Sequence, residues 1–470
     1  MIPAAYAFAG TTGVAGLLMR DDRWARLASL LLAACGTLAL LGWLGVAHTL
    51  RAHAAPAAAG VVVALALGVL AARGLQRWPL ALAFAACLAA PFRFPVHIGS
   101  QDANLLVPLY AVIGVAWLAL ALDALGGRGP TRLPPRRLAL PLVLLLAWES
   151  ASLAWSTSAT EGAKAMAFYA LPFAVLLAAL VAHPPPLPRL ADLLRVQVVL
   201  ALVFAAVGVY QVLRHDVWWN RKLMVSNAFS SFFRANSIFY DPSIFGRYQA
   251  VTITLVFAAL LFGTVRRPLL AGICAGLAWI GILTSYSQSA LFALCAAVAA
   301  GLVLAFGRRL AWLLLLGALA VGLALMAVPS VRNAGVDRVT SKRSDLVGDG
   351  LRLFRAHPLA GVGLGGSTEA AREQTDRGRA VRHAQHVMPL TVASELGIVG
   401  LALVAWLLTV LARLALARGA ARPERLALGL ALLAIFVHSL FYAAFFEDPL
   451  TWGLAALLVA CAAPGMIEER

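Results

Sequence analysis

The sequence is poor in charged residues, in lysine and in cysteine. Only 13% of its 470 residues are charged, 62% are hydrophobic and the mean hydropathy is +0.86. Soluble globular domains carry about 25% charged residues, so this composition excludes that class. Apolar runs of roughly 17 to 25 residues recur, each long enough to cross about 30 Å of hydrocarbon as a helix. Backbone groups in lipid must be satisfied internally, so the runs predict membrane-spanning helices.

The scarce residue types exclude further classes of protein. All five cysteines lie in apolar runs without paired spacing, so we expect neither disulfides nor a zinc site. The net charge of +17 is spread over short loops and forms no basic stripe, which argues against nucleic acid as a partner. Residues 1–19 lack a basic region before the apolar run, which favours a retained helix over a signal peptide.

The hydropathy pattern predicts an all-α polytopic membrane protein with about 14–15 transmembrane helices and one long helical external loop. The shortest runs, 78–92 and 449–463, are the ones least typical of a span. The predicted spans are 3–19, 27–50, 55–72, 78–92, 104–124, 138–154, 165–182, 189–211, 248–264, 268–284, 289–306, 310–328, 389–412, 426–445 and 449–463.

Arginine clusters predict which side of the membrane each loop faces. Those at 128–137, 266–267, 308–309 and 413–425 are an even number of crossings apart, so all can be cytoplasmic together. Both chemistry-bearing loops, 213–247 and 329–388, then face outward. The turns 285–288 and 447–448 lie on the same side. We divide the chain into N-terminal transmembrane helices, 1–188, and a catalytic region, 189–470, that includes both loops.

The first external loop brings arginines to the membrane boundary. Arg234 and Arg247 bracket the tight turn at Asp241-Pro242. The planar guanidinium suits a phosphate, which makes both arginines candidate clamps on an anionic headgroup. The alternative, which also applies to Arg214 and Arg221, is anchoring of a long side chain at the interface. Asp241 is most simply a turn or cap residue.

The external turn 284–289 is rich in hydroxyl groups and holds Ser285 and Gln288. Its side chains can satisfy backbone groups where two helices end. They can also donate hydrogen bonds to a sugar or a phosphate. The sequence alone leaves both interpretations open.

The second external loop contains the candidate general base. His386 stands where the next span begins, and its unperturbed pKa near neutrality suits proton transfer. His357 precedes a glycine-rich run, 361–366, which predicts a tight turn and a possible nest of amides for an anion. Glu395 falls inside the following span, as Glu149 does in span six. A buried carboxylate there requires a partner, either arginine or backbone, or serves catalysis.

Three features of these loops resemble the O-antigen ligase/polymerase family. They are Arg234 before the FYDPS turn at 239–243, the run HPLAGVGLG at 357–365 preceded by Arg343, and His386 followed by ELGIVG at 395–400. Their order and spacing are more specific than any one of them. The resemblance covers roughly residues 190–445. Two positions depart from the family pattern: Gln288 stands where arginine is usual, and Val387 replaces asparagine.

The resemblance implies a bacterial glycosyltransferase of cell-envelope polysaccharide biosynthesis, in the cytoplasmic (inner) membrane. Such enzymes move a glycan from a polyprenyl (undecaprenyl) diphosphate carrier to an acceptor hydroxyl on the extracytoplasmic face. The acceptor is a glycan, a lipid or a protein. Arg234 would bind the diphosphate, and His386 would orient or deprotonate the acceptor. Arg247, Arg343 or an arginine of 372–382 would supply the charge absent at Gln288, and Ser285 and His357 would complete the substrate-binding set.

Direct displacement by one acceptor inverts the anomeric carbon. The external loops show no Asp-x-Asp and no paired carboxylates at helical spacing, so we expect no metal and no other cofactor. Ligase and polymerase remain equally open, because they share donor and leaving group. A transporter or flippase for a lipid-linked oligosaccharide is the alternative class, although no internal repeat is visible. A non-catalytic scaffold for polysaccharide assembly is the third possibility.

Overall fold

The computed structural model describes residues 1–46, 54–98, 101–130, 132–230, 232–307, 309–313, 317, 343–374, 387–419 and 421–462. Side chains are described for all of these except 54–63, 79, 95–104 and 343–346. The described chain is almost entirely helical, which confirms the predicted all-α polytopic class.

The first half of the described chain packs as a series of apolar helices with one short hairpin. A π-helical turn, Met166–Ala170, interrupts α7 without ending it. The elements are α1 (Ile2–Met19), α2 (Arg23–Trp43), α3 (Ala54–Arg77), α4 (Pro79–Ala89), β1 (Phe94–Ile98), β2 (Gln101–Leu105), α5 (Val107–Leu125), α6 (Arg136–Ser152), α7 (Ala159–Ala182) and α8 (Leu190–Arg214).

The second half of the described chain alternates long helices with short ones in the loops. The elements are α9 (Arg221–Ala228), α10 (Pro242–Leu261), α11 (Pro268–Ser285), α12 (Gln288–Phe306), α13 (Arg343–Ala356), α14 (Ser367–Gln374), α15 (Met388–Leu416), α16 (Arg422–Ser439) and α17 (Pro449–Ala460).

Nine of the described helices are long and apolar enough to cross a membrane: α1, α2, α5, α7, α8, α10, α11, α12 and α15, with α8 counted from Leu187. The other predicted spans correspond to α3, α4, α6, α16 and α17, except for 310–328, most of which lies outside the described residues. Of these, α4 has 11 residues and α17 has 12, which confirms that the two shortest runs are also the shortest helices of the series. The chain is a multi-pass membrane protein.

The hairpin before α5 was not predicted. β1 pairs antiparallel with β2, from Phe94 opposite Leu105 to Ile98 opposite Gln101. The sequence predicts a span that begins at residue 104, but the helix begins at Val107. The two strands have five residues each and no regular alternation of polar and apolar residues, so the sequence pattern does not predict them.

Caps and prolines fix where several helices begin. Asp22, Asn220, Asp241, Ser287 and Asp448 each accept a hydrogen bond from a backbone N–H in the first turn of their helix. Such caps satisfy donors that have no partner within the helix. The interpretation of Asp241 as a cap residue is confirmed.

Two helices form the interior of the bundle. In α7, 83% of the most apolar window is buried, and in α10 the share is 72%, whereas the other long helices range from 22% to 44%. The segment Leu171–Ala182 is apolar on every side, which is the pattern of a helix surrounded by protein. Because α7 and α10 are largely buried, most of their side chains contact protein and not lipid.

Candidate active site

The second external loop docks onto a break in α15. Gly397 has φ 67° and ψ −163°, which is not helical, so carbonyls before it lose their partners within the helix. The amides of Val362 and Gly363 donate to the carbonyls of Ser394 and Glu395, both at 2.9 Å. The glycine-rich run thus repairs the broken helix and fixes the loop to the bundle.

The opposite side of the same run packs against the segment between α6 and α7. The Leu364 amide donates to Ser152 Oγ at 3.1 Å, and the Ser156 hydroxyl donates to the Leu364 carbonyl at 2.8 Å. The Thr157 hydroxyl donates to the Gly366 carbonyl at 2.8 Å. Two loops that the arginine parity assigns to one side are therefore in direct contact.

Glu395 supplies the anion for the glycine-rich turn. Its Oε2 accepts the Gly365 amide at 2.9 Å, and its Oε1 accepts the Ser367 hydroxyl at 2.6 Å, where α14 begins. The backbone-partner interpretation of Glu395 is confirmed, and the turn binds an internal carboxylate. Glu149, in the last turn of α6, is 8% exposed, and no donor among the described residues lies within hydrogen-bonding distance of its carboxyl.

Arg234, in the loop before α10, packs against the turn between α11 and α12. Its Nε donates to the Ser285 carbonyl at 3.3 Å, and its amide and carbonyl are both held by the Asn227 side chain, at 3.1 and 3.0 Å. The Ala235 amide donates to the Thr284 carbonyl at 2.9 Å. The first external loop is thereby fixed to this turn, with Gln288 exposed beside it.

The hydroxyls of this turn are used within the protein. Ser285 is fully buried, and its hydroxyl donates to the Ile282 carbonyl at 2.7 Å. The Ser289 hydroxyl contacts His438 Nε2 at 3.1 Å, which links the turn to α16. The arrangement favours the helix-end interpretation of the serines. The contact of this turn with the Arg234 guanidinium is made by the Ser285 carbonyl.

Arg247 forms a buried ion pair. It is 1% exposed, and its Nε lies 2.8 Å from Asp448 Oδ2, in the turn before α17. Its Nη1 donates to the Ala444 carbonyl at 3.4 Å, whereas its Nη2 is buried without a hydrogen-bond partner among the described residues. The guanidinium is thus anchored through Nε and Nη1, whereas Nη2 has no partner among the described residues. Arg247 and Arg93 line the same small cavity.

Sequence reasoning missed Arg93 and Glu447. Arg93 precedes the hairpin, and Glu447 stands next to Asp448. Burial raises the pKa of the Glu447 carboxyl, and the charges of Arg93 and Arg247 oppose that rise. The parity of the arginine clusters assigns residue 93 and the turn 447–448 to the same side of the membrane. An arginine and a glutamate in two short loops on one side were therefore the signal from which their proximity could have been predicted.

Glu447 also lines a second, larger cavity at this end, of about 120 Å³. The walls come from α6, α7, the first turns of α15 and the turn before α17. Glu149, Tyr169, Thr391, Glu395, Glu447 and Trp452 are among its lining residues. The lining joins residues from both sides of the predicted division at 188, so the N-terminal helices contribute to this site.

The remaining predicted site residues belong to the second external loop. His357 is exposed and directly follows α13. Arg343 begins α13, but its side chain lies outside the described part of the structure, as does His386 entirely. The first residue of α15, Met388, lines the large cavity. In the described part of the chain, no group of three His, Cys, Asp or Glu side chains is arranged to hold a metal ion.

Comparison with known protein families supports a membrane glycan-transfer enzyme. Residues 273–405 match the model of the O-antigen ligase family. The matched segment runs from α11 into α15 and includes the turn that holds Arg234, the docked loop and the break at Gly397. It falls inside the 190–445 region that carried the resemblance. The comparison with curated proteins gives no match.

The match at residues 273–405 supports the family that the sequence features indicate, and it includes the run at 357–365 and the motif at 395–400. The match covers less than a third of the chain. The N-terminal helices lie outside the matched segment.

Proposed function

We propose that the protein is an inverting, metal-independent glycosyltransferase. It transfers a glycan from a polyprenyl diphosphate carrier to an acceptor hydroxyl on the extracytoplasmic face of the bacterial cytoplasmic membrane. The observation that carries this proposal is the contact between Arg234 Nε and the Ser285 carbonyl at 3.3 Å. It supports the proposal because it brings a guanidinium to a turn of the segment that matches the O-antigen ligase family.

The chemistry needs fixed positive charge beside the leaving group. The acceptor oxygen attacks the anomeric carbon, the bond from that carbon to the diphosphate breaks, and the electron pair remains on the phosphate oxygen. Arg234 stabilises this growing negative charge, and Arg247 and Arg93 are the nearby cations that can assist it. The acceptor proton passes to His386, the role that the family resemblance assigns to it.

The decisive experiment compares Arg234→Ala with the control Arg221→Ala, an exposed arginine at the start of α9. The purified protein is incubated with a polyprenyl-diphosphate oligosaccharide, with and without candidate acceptors. One preorganised contact to developing charge is worth roughly 10²- to 10³-fold in turnover. We expect a loss of that order for Arg234→Ala and little change for Arg221→Ala. Equal activities of the two variants would contradict the proposal.

The products separate the remaining alternatives. A ladder of longer glycans identifies a polymerase, and one discrete conjugate identifies a ligase. A donor that stays unaltered with every acceptor, in a protein that still moves it across a bilayer, identifies a flippase. His386→Ala sharpens this distinction, because an enzyme loses turnover while it still binds donor, whereas a flippase continues to translocate.

Metal independence is a separate prediction. Arginines take the place of a divalent cation at the leaving diphosphate, so transfer is expected to continue unchanged in excess EDTA. The same reaction with added magnesium is the control. Activity that disappears with the chelator and returns with magnesium would refute this part of the proposal.

A further inference from the structure

The large cavity contains a buried carboxyl for which the described residues provide no hydrogen-bond partner. Glu149 is 8% exposed and lines this space from the end of α6. Glu395 lines it as well, but accepts hydrogen bonds from the Gly365 amide and the Ser367 hydroxyl. Burying a polar group without a hydrogen bond is unfavourable, so a donor from outside the described chain accounts for Glu149.

We propose that this cavity is the acceptor subsite and that it holds a sugar ring, one hydroxyl of which donates to the Glu149 carboxyl. The inference rests on the proposed function and specifies its acceptor as a glycan. It concerns binding and orientation of the acceptor; proton transfer remains with the group already assigned.

The residues that line each of the two cavities indicate which substrate group it can bind. The titratable lining groups of the cavity are Glu149, Glu395, Glu447 and Tyr169, and no lysine or arginine of the described residues lines it. Such a space offers no cation that could bind a diphosphate. The nearby guanidiniums of Arg93 and Arg247 line the smaller cavity instead. The carrier therefore belongs with the arginines, and a hydroxyl-rich group belongs with the carboxyls.

Two consecutive residues mark the boundary between these environments. Asp448 pairs with Arg247 at 2.8 Å and lines the small cavity. Glu447, one residue earlier, lines the large one. An acceptor hydroxyl held by the carboxyls would thus lie beside Arg247, one of the cations proposed to assist the leaving diphosphate. Direct displacement requires this adjacency of acceptor and leaving group.

The lining and the local backbone of the cavity agree with a sugar ligand. Tyr169, Phe446 and Trp452 supply aromatic surface for the C–H face of a pyranose. Tyr169 lies in the π-helical turn of α7, and such turns are frequent at functional sites.

The first test measures sugar binding directly and does not depend on transfer. Full-length protein in nanodiscs is mixed with methyl pyranosides of glucose, galactose, mannose, rhamnose and N-acetylglucosamine, and binding is followed by saturation-transfer NMR. We expect at least one glycoside to bind. A lost hydrogen bond to a charged group weakens binding roughly 10- to 100-fold, which is the change expected for Glu149→Leu. Ala443→Phe, which fills the cavity, should abolish binding.

Glu161→Gln is the matched control, because Glu161 is exposed and pairs with Lys164 outside the cavity. It should bind like the wild type. Thermal unfolding then separates a ligand role from a structural one. Glu149 has no internal partner, so Glu149→Gln should unfold no lower than the wild type, whereas Glu395→Gln should unfold lower. Absence of binding by every glycoside, unchanged binding by Glu149→Leu, or a lower midpoint for Glu149→Gln would each overturn the inference.

The second test assigns the subsite. Transfer is measured with a polyprenyl-diphosphate oligosaccharide as donor and the best-binding methyl glycoside as acceptor. We expect Glu149→Gln to raise the acceptor KM at least about tenfold, with the donor KM within about twofold. A raised donor KM with an unchanged acceptor KM would overturn the acceptor assignment. If the wild-type protein transfers nothing, the proposed function fails, while the binding measurement still decides whether the cavity takes a sugar.

Discussion

At the scale of single residues, partners determine what each charged group can do. The sequence singled out Arg247 as a phosphate clamp beside a tight turn. Its partner, Asp448, lies near the far end of the chain, and no local pattern connects the two positions. Only the packing of α10 against the turn before α17 reveals a buried ion pair with one side of the guanidinium still open.

This ion pair can be tested by a double-mutant cycle. Arg247→Gln leaves the Asp448 carboxylate buried without its cation, which should cost about 3–5 kcal/mol of stability. Asp448→Asn in the same chain removes the stranded charge and should recover part of the loss. The measurement is the midpoint of thermal unfolding in detergent, with Arg221→Gln as the control. Equal midpoints for Arg247→Gln and the double variant would show that Asp448 is not the partner.

Glu149 and Glu395 show the same limit from another side. Both are glutamates inside predicted spans, and the same three interpretations apply to each from the sequence alone. The docked glycine-rich turn supplies donors to Glu395 and none to Glu149. The difference arises because hydrogen-bond donors come from a loop that is distant in sequence from α6.

At the scale of elements, the sequence predicted one unbroken span at 389–412. A glycine inside an apolar helical pattern is compatible with a continuous helix, so Gly397 alone gave no reason to expect a break. The break exists because the loop at 357–366 occupies the space beside it and takes over its hydrogen bonds. The family motif at 395–400 contained this glycine, but not the reason for it.

Gly397→Ala should disrupt this docking. With φ 67° and ψ −163°, the position is essentially restricted to glycine, and a Cβ would lie 2.2 Å from the Leu359 carbonyl oxygen. The strain alone is worth about 1–3 kcal/mol. We expect a lower unfolding midpoint and faster proteolysis of the loop. Gly276→Ala in α11 meets no atom within 4 Å and should be neutral. Equal behaviour of the two variants would argue against the break.

At the scale of the whole molecule, the parity of arginine clusters is consistent with the contacts. Loops assigned to one side touch each other, as Ser156 and Leu364 do, or Arg234 and Ser285. At the other end, Arg132 and Arg425 both donate to carbonyls at the end of α17, where cytoplasmic loops were predicted. These contacts agree with the two groups of loops that charge counting predicts.

Which group faces outward is a prediction that labelling can check. Ser226→Cys and Glu161→Cys introduce exposed thiols in predicted external loops, and Arg266→Cys does so in a predicted cytoplasmic one. A membrane-impermeant maleimide should modify the first two in intact cells and the third only in inverted membranes. The unsubstituted chain is the control for its five native cysteines. Labelling of Arg266→Cys from outside would reverse the topology.

The sequence by itself determined the class of protein and indicated the family, and it predicts the sidedness of the loops. These follow from composition, charge periodicity and short motifs, which are all local properties of the chain. The tertiary structure decided which carboxyl has a partner, where α15 breaks, and how arginines and glutamates divide between two neighbouring cavities. Those outcomes depend on contacts between residues far apart in sequence, and the energy of a buried polar group is set by such contacts and not by its neighbours along the chain.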